Sequence, residues 1–175
     1  MSRKIFTIPS NGGGTGGAAR RSRPMVRILY FLALMLTAIA MGAALAHLFE
    51  LPNKIGIGPD DYLTVQRNYD NWWMVGLFVP AAFIAVIALM FGLRGTGAPF
   101  VLAAIAVVLL VGELIAFWGF TAPANRATEN WTMLPDDWEA WRAQWEYSHA
   151  VRAVLYVLAF GTLLLSVLSW RSGES

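Results

Sequence analysis

Four stretches of this chain are long and apolar enough to cross a hydrocarbon layer as single helices. They run from Ile28 to Phe49, Trp73 to Leu93, Pro99 to Phe120 and about Ala150 to Trp170. A bilayer core of about 30 Å takes roughly 20 helical residues to span, and each run has that length. Strands of a membrane barrel would be about half as long and would alternate polar with apolar residues, which none of the four does. The sequence therefore predicts an all-α, polytopic membrane protein: a four-helix transmembrane bundle over residues 26–171, with spans at about 28–49, 73–93, 99–120 and 150–170. Composition agrees, because 57% of residues are hydrophobic and 14% are charged, against about a quarter charged in a soluble domain. Cysteine is absent, which removes disulfides and thiolate metal sites from consideration.

Basic residues stay preferentially on the cytoplasmic side of short loops. Arg3, Lys4, Arg20, Arg21, Arg23 and Arg27 precede the first run, Arg94 lies between the second and third, and Arg171 follows the fourth. All fall on one side. The expected orientation in the cell membrane therefore has both termini cytoplasmic and two acidic loops outside. The basic start, apolar run and Ala44-Leu45-Ala46 triplet imitate a secretory signal, but the run exceeds the usual 7 to 15 residues of such a core, so the helix is expected to be retained. NGGGTGGAA is too glycine-rich to fold by itself, and residues 1–25 are expected to form a flexible basic tail suited to anionic lipid.

The stretch HLFELPNK, His47 to Lys54, places a histidine and a glutamate on one face where the first apolar helix ends. Polar residues within spans are rare and usually face the bundle interior. Glu113, in VLLVGELIAFW, is the sharpest example, lying about 10 Å below the outer end of its run at 1.5 Å per residue. Its expected partner is Arg152, about one turn into the fourth run from the same side. By depth, His47, Glu50, Glu113, Glu146, His149 and Arg152 share the outer half of the bundle, and both histidines of the chain are among them. Such residues either form the polar rim of a membrane anchor or line a site. Glu113 with Arg152 favours a site, since an uncompensated buried charge is costly.

A metal pair of the di-iron kind needs Glu-x-x-His on two helices and single glutamates on two others. Glu146-x-x-His149 matches that pattern and His47-x-x-Glu50 reverses it, but the second run offers no carboxylate, so no metal site is expected. No phosphate loop, nucleotide fingerprint or nucleophile elbow is present in the sequence, and no particular cofactor is implied. Trp138, Trp141 and Trp145 recur at helical spacing on one face. That face rests on the membrane surface or on the bundle, or it stacks on a substrate. Pro123 is expected to stop the third helix, with the Asn125 amide bonding freed carbonyls or reaching into an outer cavity.

Taken together, His47 with Pro52 closing the first run, Pro123-Ala124-Asn125 after the third, and Trp145-x(3)-His149-x-x-Arg152 leading into the fourth resemble the anthrone oxygenase-like family of small four-helix membrane proteins. The resemblance would cover residues 26–170. It implies an activity that adds oxygen to a lipophilic aromatic substrate without a familiar cofactor. The residues expected to carry it are Glu113, His149, Arg152, His47, Asn125 and Glu50, with Trp138, Trp141 and Trp145 against the substrate. The glycine-rich tail and the long tryptophan-rich last loop depart from the family pattern. The rival reading is a non-catalytic accessory subunit or ligand-binding membrane protein whose polar cluster pins helices together. Expected partners are the bilayer and a small aromatic molecule, not nucleic acid; an oligomer or partner subunit is compatible with either reading.

Overall fold

The computed structural model describes residues 15–172, and their side chains from 24 to 171. Every regular element among the described residues is helical. These are α1 (Thr15–Lys54), α2 (Pro59–Gln66), a 3-10 turn (Arg67–Tyr69), α3 (Trp73–Gly76), α4 (Phe78–Gly92), α5 (Ala98–Ala116), a π turn (Phe117–Thr121), α6 (Ala122–Ala127) and α7 (Trp138–Ser172). Four helices are long and apolar enough to cross a membrane: Pro24–Lys54, Trp73–Gly92, Ala98–Ala127 and Trp138–Arg171. Of the expected N-terminal tail, residues 1–14 lie outside the described residues, and α1 begins at Thr15.

The buried positions follow a seven-residue rhythm. In α1 they are Val26, Tyr30, Ala33, Thr37, Ala40, Ala44 and His47, at alternating steps of four and three. In α5 they are Pro99, Ala103, Ala106, Leu110 and Glu113, followed by Ala116 at the helix end. In α7 the seam continues through His149, Ala153, Tyr156, Ala159, Leu163 and Ser166. Such a repeat keeps one stripe of each helix against its neighbours. Alanines dominate the stripe, and small residues are what let backbones approach closely where lipid removes the hydrophobic drive between helices. The larger apolar side chains, Ile105, Val108, Ile115 and Leu168 among them, face outward. Each long helix packs on its neighbours in sequence, and α7 returns to close the ring against α1. At the end away from His47, Tyr30 and Ser166 share a hydrogen bond of 2.8 Å, and Ser166 donates to the Pro99 carbonyl. The turn joining α4 to α5 uses Gly95 and Gly97 at φ 81° and 73°, a region that side-chain-bearing residues avoid.

Prolines shape the half around His47. Pro80 offers no N–H to the Gly76 carbonyl, and the second span breaks there into α3 and α4. Pro123 does not end the third helix as the sequence led us to expect. The preceding residues widen into the π turn, and the helix resumes with Pro123 in the first turn of α6, where a missing donor costs nothing. In the fourth span α7 is continuous from Trp138, so the tryptophan-bearing segment with its helical spacing and the apolar run form one rod. In α2, Pro59 opens the helix and Asp60 and Asp61 complement its positive end. Tyr62 is fully buried and Gln66 nearly so, so α2 packs onto the bundle.

Because the seam is set by small side chains, Ala159→Leu should destabilise the bundle by about 1–3 kcal/mol through overpacking, while Ile105→Leu on the lipid face should be close to neutral. Reversible unfolding in mixed micelles checks the pair.

Candidate functional site

The half of the bundle around His47 holds an open-sided cavity of about 560 Å³, inside the ~300–1,000 Å³ span of ligand pockets. Ala40, Ala43, Ala44 and His47 supply one wall from α1. The opposite wall is Trp145, His149, Arg152 and Tyr156 from α7. Phe117, Thr121 and Asn125 close the side of the π turn and α6, and Gln66, Tyr69 and Trp72 close the end nearest α2. The small residues that allow close packing lower in α1 are thus also what leave room here.

His47 and His149 come together with ring centroids 4.0 Å apart, stacked at 30°. Tyr69, Trp72 and Trp145 pack around His47 at centroid distances of 4.5, 5.2 and 5.1 Å. Both histidines are buried, and Nδ1 of His47 has no hydrogen-bond partner. Arg152 NH1 lies 3.3 Å from His149 Nδ1. Arginine only donates, so that contact requires Nδ1 of His149 to accept and its other nitrogen to carry the hydrogen. The stacked rings do not chelate, and no three His, Asp or Glu side chains among the described residues form a metal-holding group.

Glu113 is 1% exposed and receives Arg152 twice, from Nε at 2.7 Å and from NH2 at 2.5 Å. The two meet as their depths imply, yet Glu113 stands behind Arg152 and does not line the cavity. Its carboxylate fixes the fork of the guanidinium, which leaves NH1 directed toward His149. Asn125 lines the cavity, and its Oδ1 accepts from Trp145 Nε1 at 2.8 Å, locking that indole into the wall. Of the tryptophan stripe, only Trp145 reaches the cavity. Trp138 packs against Arg142, whose guanidinium is 4.4 Å from its ring centroid, and Trp141 donates to Asp137 at 3.1 Å. The stripe as a whole rests on its own bundle, around Tyr62 and Trp131. Glu50 is also outside the cavity lining, bonded to Tyr69 and paired with Lys54.

Sequence reading missed Lys54, Tyr69, Trp72 and Trp131. Lys54 looked like a loop residue, but it stands one heptad beyond His47 on the same seam and is buried at 3% exposure. That spacing was a usable signal. Trp131 had none. Glu129, Asn130 and Trp131 run consecutively at φ 49°, 57° and 62°, a left-handed turn rare for residues other than glycine. Thr128 holds it: its hydroxyl donates to the Ala124 carbonyl at 2.9 Å and accepts from the Trp131 amide at 3.1 Å. Trp131 thereby meets Tyr62 at 5.0 Å and Trp145 at 5.9 Å. Outside the spans, burial followed by the neighbouring Glu146 carboxylate raises the Tyr62 hydroxyl above its ordinary range. Burial, then the bond to Glu50, does the same for Tyr69. Both stay protonated donors at neutral pH.

Comparison of the chain with protein-family models, with curated proteins and with solved structures found no match.

Removing one member of a buried ion pair strands the other charge. Arg152→Met should therefore cost about 3–5 kcal/mol, and the Glu113→Leu/Arg152→Met double variant should recover most of it; a double-mutant cycle of detergent unfolding checks this. Thr128→Val should cost roughly 1–3 kcal/mol by leaving buried polar groups unpaired. It should also shift tryptophan emission as Trp131 leaves its place.

Proposed function

We propose that this chain is a multi-pass protein of the cell membrane, with both termini cytoplasmic, whose outer cavity takes a lipophilic aromatic molecule and oxidises it with molecular oxygen. The observation that carries this reading is the convergence of His47, His149 and Arg152 on one cavity walled by indoles. Aromatic walls supply contact area for a flat apolar ligand. A histidine with an unpartnered nitrogen is the residue type most often used to take a proton near neutral pH, and His47 Nδ1 is such an atom. A guanidinium held in a low-dielectric wall favours negative charge developing on a ligand oxygen beside it.

In that reading, His47 removes a proton from an activated C–H of the ligand. The electron pair left on carbon is delocalised onto a ligand oxygen near Arg152. Molecular oxygen then takes electrons from that carbon, a C–O bond forms, and the proton returned by the imidazolium completes a hydroperoxide. Carbon is oxidised, oxygen is reduced, and the histidine ends as it began. Glu113 positions Arg152 and touches no reacting atom. The resemblance of the His47, Pro123-Ala124-Asn125 and Trp145-x(3)-His149-x-x-Arg152 motifs to the anthrone oxygenase-like family supports the same chemistry.

A second reading, a ligand-binding subunit without catalysis, is favoured by the direct Glu113–Arg152 contact, which pins α5 to α7 whatever the cavity holds. Oxygen-electrode and fluorescence titrations with anthrone separate the two. The enzyme reading expects saturable quenching of tryptophan emission together with oxygen uptake that falls at least about 100-fold in His47→Ala, the lower end of what general-base catalysis contributes. Quenching without uptake supports the binding subunit, and no saturable quenching overturns both. Orientation has its own check. The chain lacks cysteine, so a single cysteine at exposed Thr132 should react with an impermeant maleimide from outside intact cells.

A further inference from the structure

Beside the cavity lies a second cluster that the proposed chemistry does not use. Lys54 Nζ donates to the Tyr69 hydroxyl at 2.6 Å and lies 3.2 Å from Oε1 of Glu146 and 3.3 Å from Oε2 of Glu50. The Tyr69 hydroxyl in turn donates to Glu50. Tyr62 donates to Oε1 of Glu146 at 3.0 Å, while Oε2 of Glu146 is buried with no partner. The groups come from α1, α2, the 3-10 turn and α7. His47 faces Tyr69 from α1, Arg142 lies over the Tyr62 ring, and His149 and Arg152 stand further down the cavity wall.

Two features distinguish this cluster from a simple clamp. Exposure is graded: the Glu50 side chain is 45% exposed, Lys54 4% and Glu146 0%. The bonds between them are continuous, running from the half-exposed carboxylate through a hydroxyl and an ammonium to the buried one. Charge counting adds a third feature, since two carboxylates share one ammonium, and the buried one, Glu146, also leaves Oε2 without a donor in a dry place, where a charge is expensive. A proton removes it.

We propose that Glu50, Tyr69, Lys54 and Glu146 form a proton path from the outer face of the protein to the cavity wall, with one exchangeable proton stored at its buried end on Glu146. Outward transfer balances atom by atom. A Lys54 N–H proton passes to the Tyr69 oxygen as the Tyr69 O–H proton passes to Glu50, and the Lys54 nitrogen regains a proton from Glu146. Glu50 then holds the proton, Glu146 the charge, and Lys54 and Tyr69 are unchanged. Tyr69 is the member that also lines the cavity and packs on His47 at 4.5 Å, so the path runs past the base assigned above. Its use in turnover rests on that assignment, but its existence does not.

Infrared spectroscopy of the full chain in lipid nanodiscs tests the path without any ligand. Wild type should show a buried carboxylic-acid stretch that Glu146→Gln removes and that shifts promptly on transfer to deuterium oxide. Tyr69→Phe, which keeps the ring packing, and Glu50→Gln should keep the band but slow its shift at least tenfold, about 1.4 kcal/mol of barrier. A spectrum lacking the band, or exchange in Tyr69→Phe as fast as in wild type, overturns the proposal. The two conservative variants carry the test if Glu146→Gln does not fold. Loss of anthrone binding with intact exchange would sink the oxygenase reading alone; normal oxygen uptake with unslowed exchange would sink only the path.

Discussion

Inside a bundle surrounded by hydrocarbon, a carboxylate must find its counter-charge within the same protein. Glu113 finds Arg152, and much of the half around His47 depends on that meeting. The pair ties α5 to α7 at one level and uses two of the guanidinium's nitrogens, leaving the third directed toward His149. Because Arg152 is held in the wall, the space in front of it remains a cavity and does not fill with a mobile side chain. The seven-residue seam does the rest, with alanines drawing α1 and α7 together below and opening the pocket beside Ala40 and Ala44.

The same economy governs the aromatic shell. Tryptophan and tyrosine present a large apolar face and one polar atom, and in this shell several of those atoms are fixed to neighbours. Trp145 donates to Asn125, Tyr69 to Glu50 and Tyr62 to Glu146. His47 Nδ1 and Trp131 Nε1 remain buried without partners. Gln66 Nε2 and the Tyr156 hydroxyl, also on residues that line the cavity, are buried without partners as well, whereas buried polar groups are ordinarily satisfied. The polar chain from Glu50 to Glu146 closes this end of the bundle and joins three elements, α1, the 3-10 turn and α7, an arrangement in which a stabilising network and a conduit for protons share the same bonds.

Much of this was legible in the sequence, for identifiable reasons. Apolar run length gave the four helices, since the bilayer sets that length. Matched depth brought Glu113 to Arg152 and His47 to His149, because helices of a bundle share a common frame. Helix ends were less legible: hydropathy falls at Phe49 and Phe120, whereas backbone hydrogen bonding carries the helices on to Lys54 and, through a π turn, to Ala127. The expectation that Trp138, Trp141 and Trp145 would act together did not allow for the return of α2 beneath them, which takes Trp138 for packing and leaves Trp145 for the cavity. Trp131 was out of reach, because three consecutive left-handed residues follow no local propensity and are held by the hydroxyl of Thr128.

The central claim is that a ligand-sized space, faced by both imidazoles and by Arg152, lies in the half of the bundle around His47. A high-resolution experimental map of the protein purified in its own membrane lipid tests it most directly. The account predicts stacked His47 and His149 rings with non-protein density against them and against Trp145. Histidines on separate faces, or a space closed by Trp72 and Trp131 collapsing onto Ala44, would contradict it.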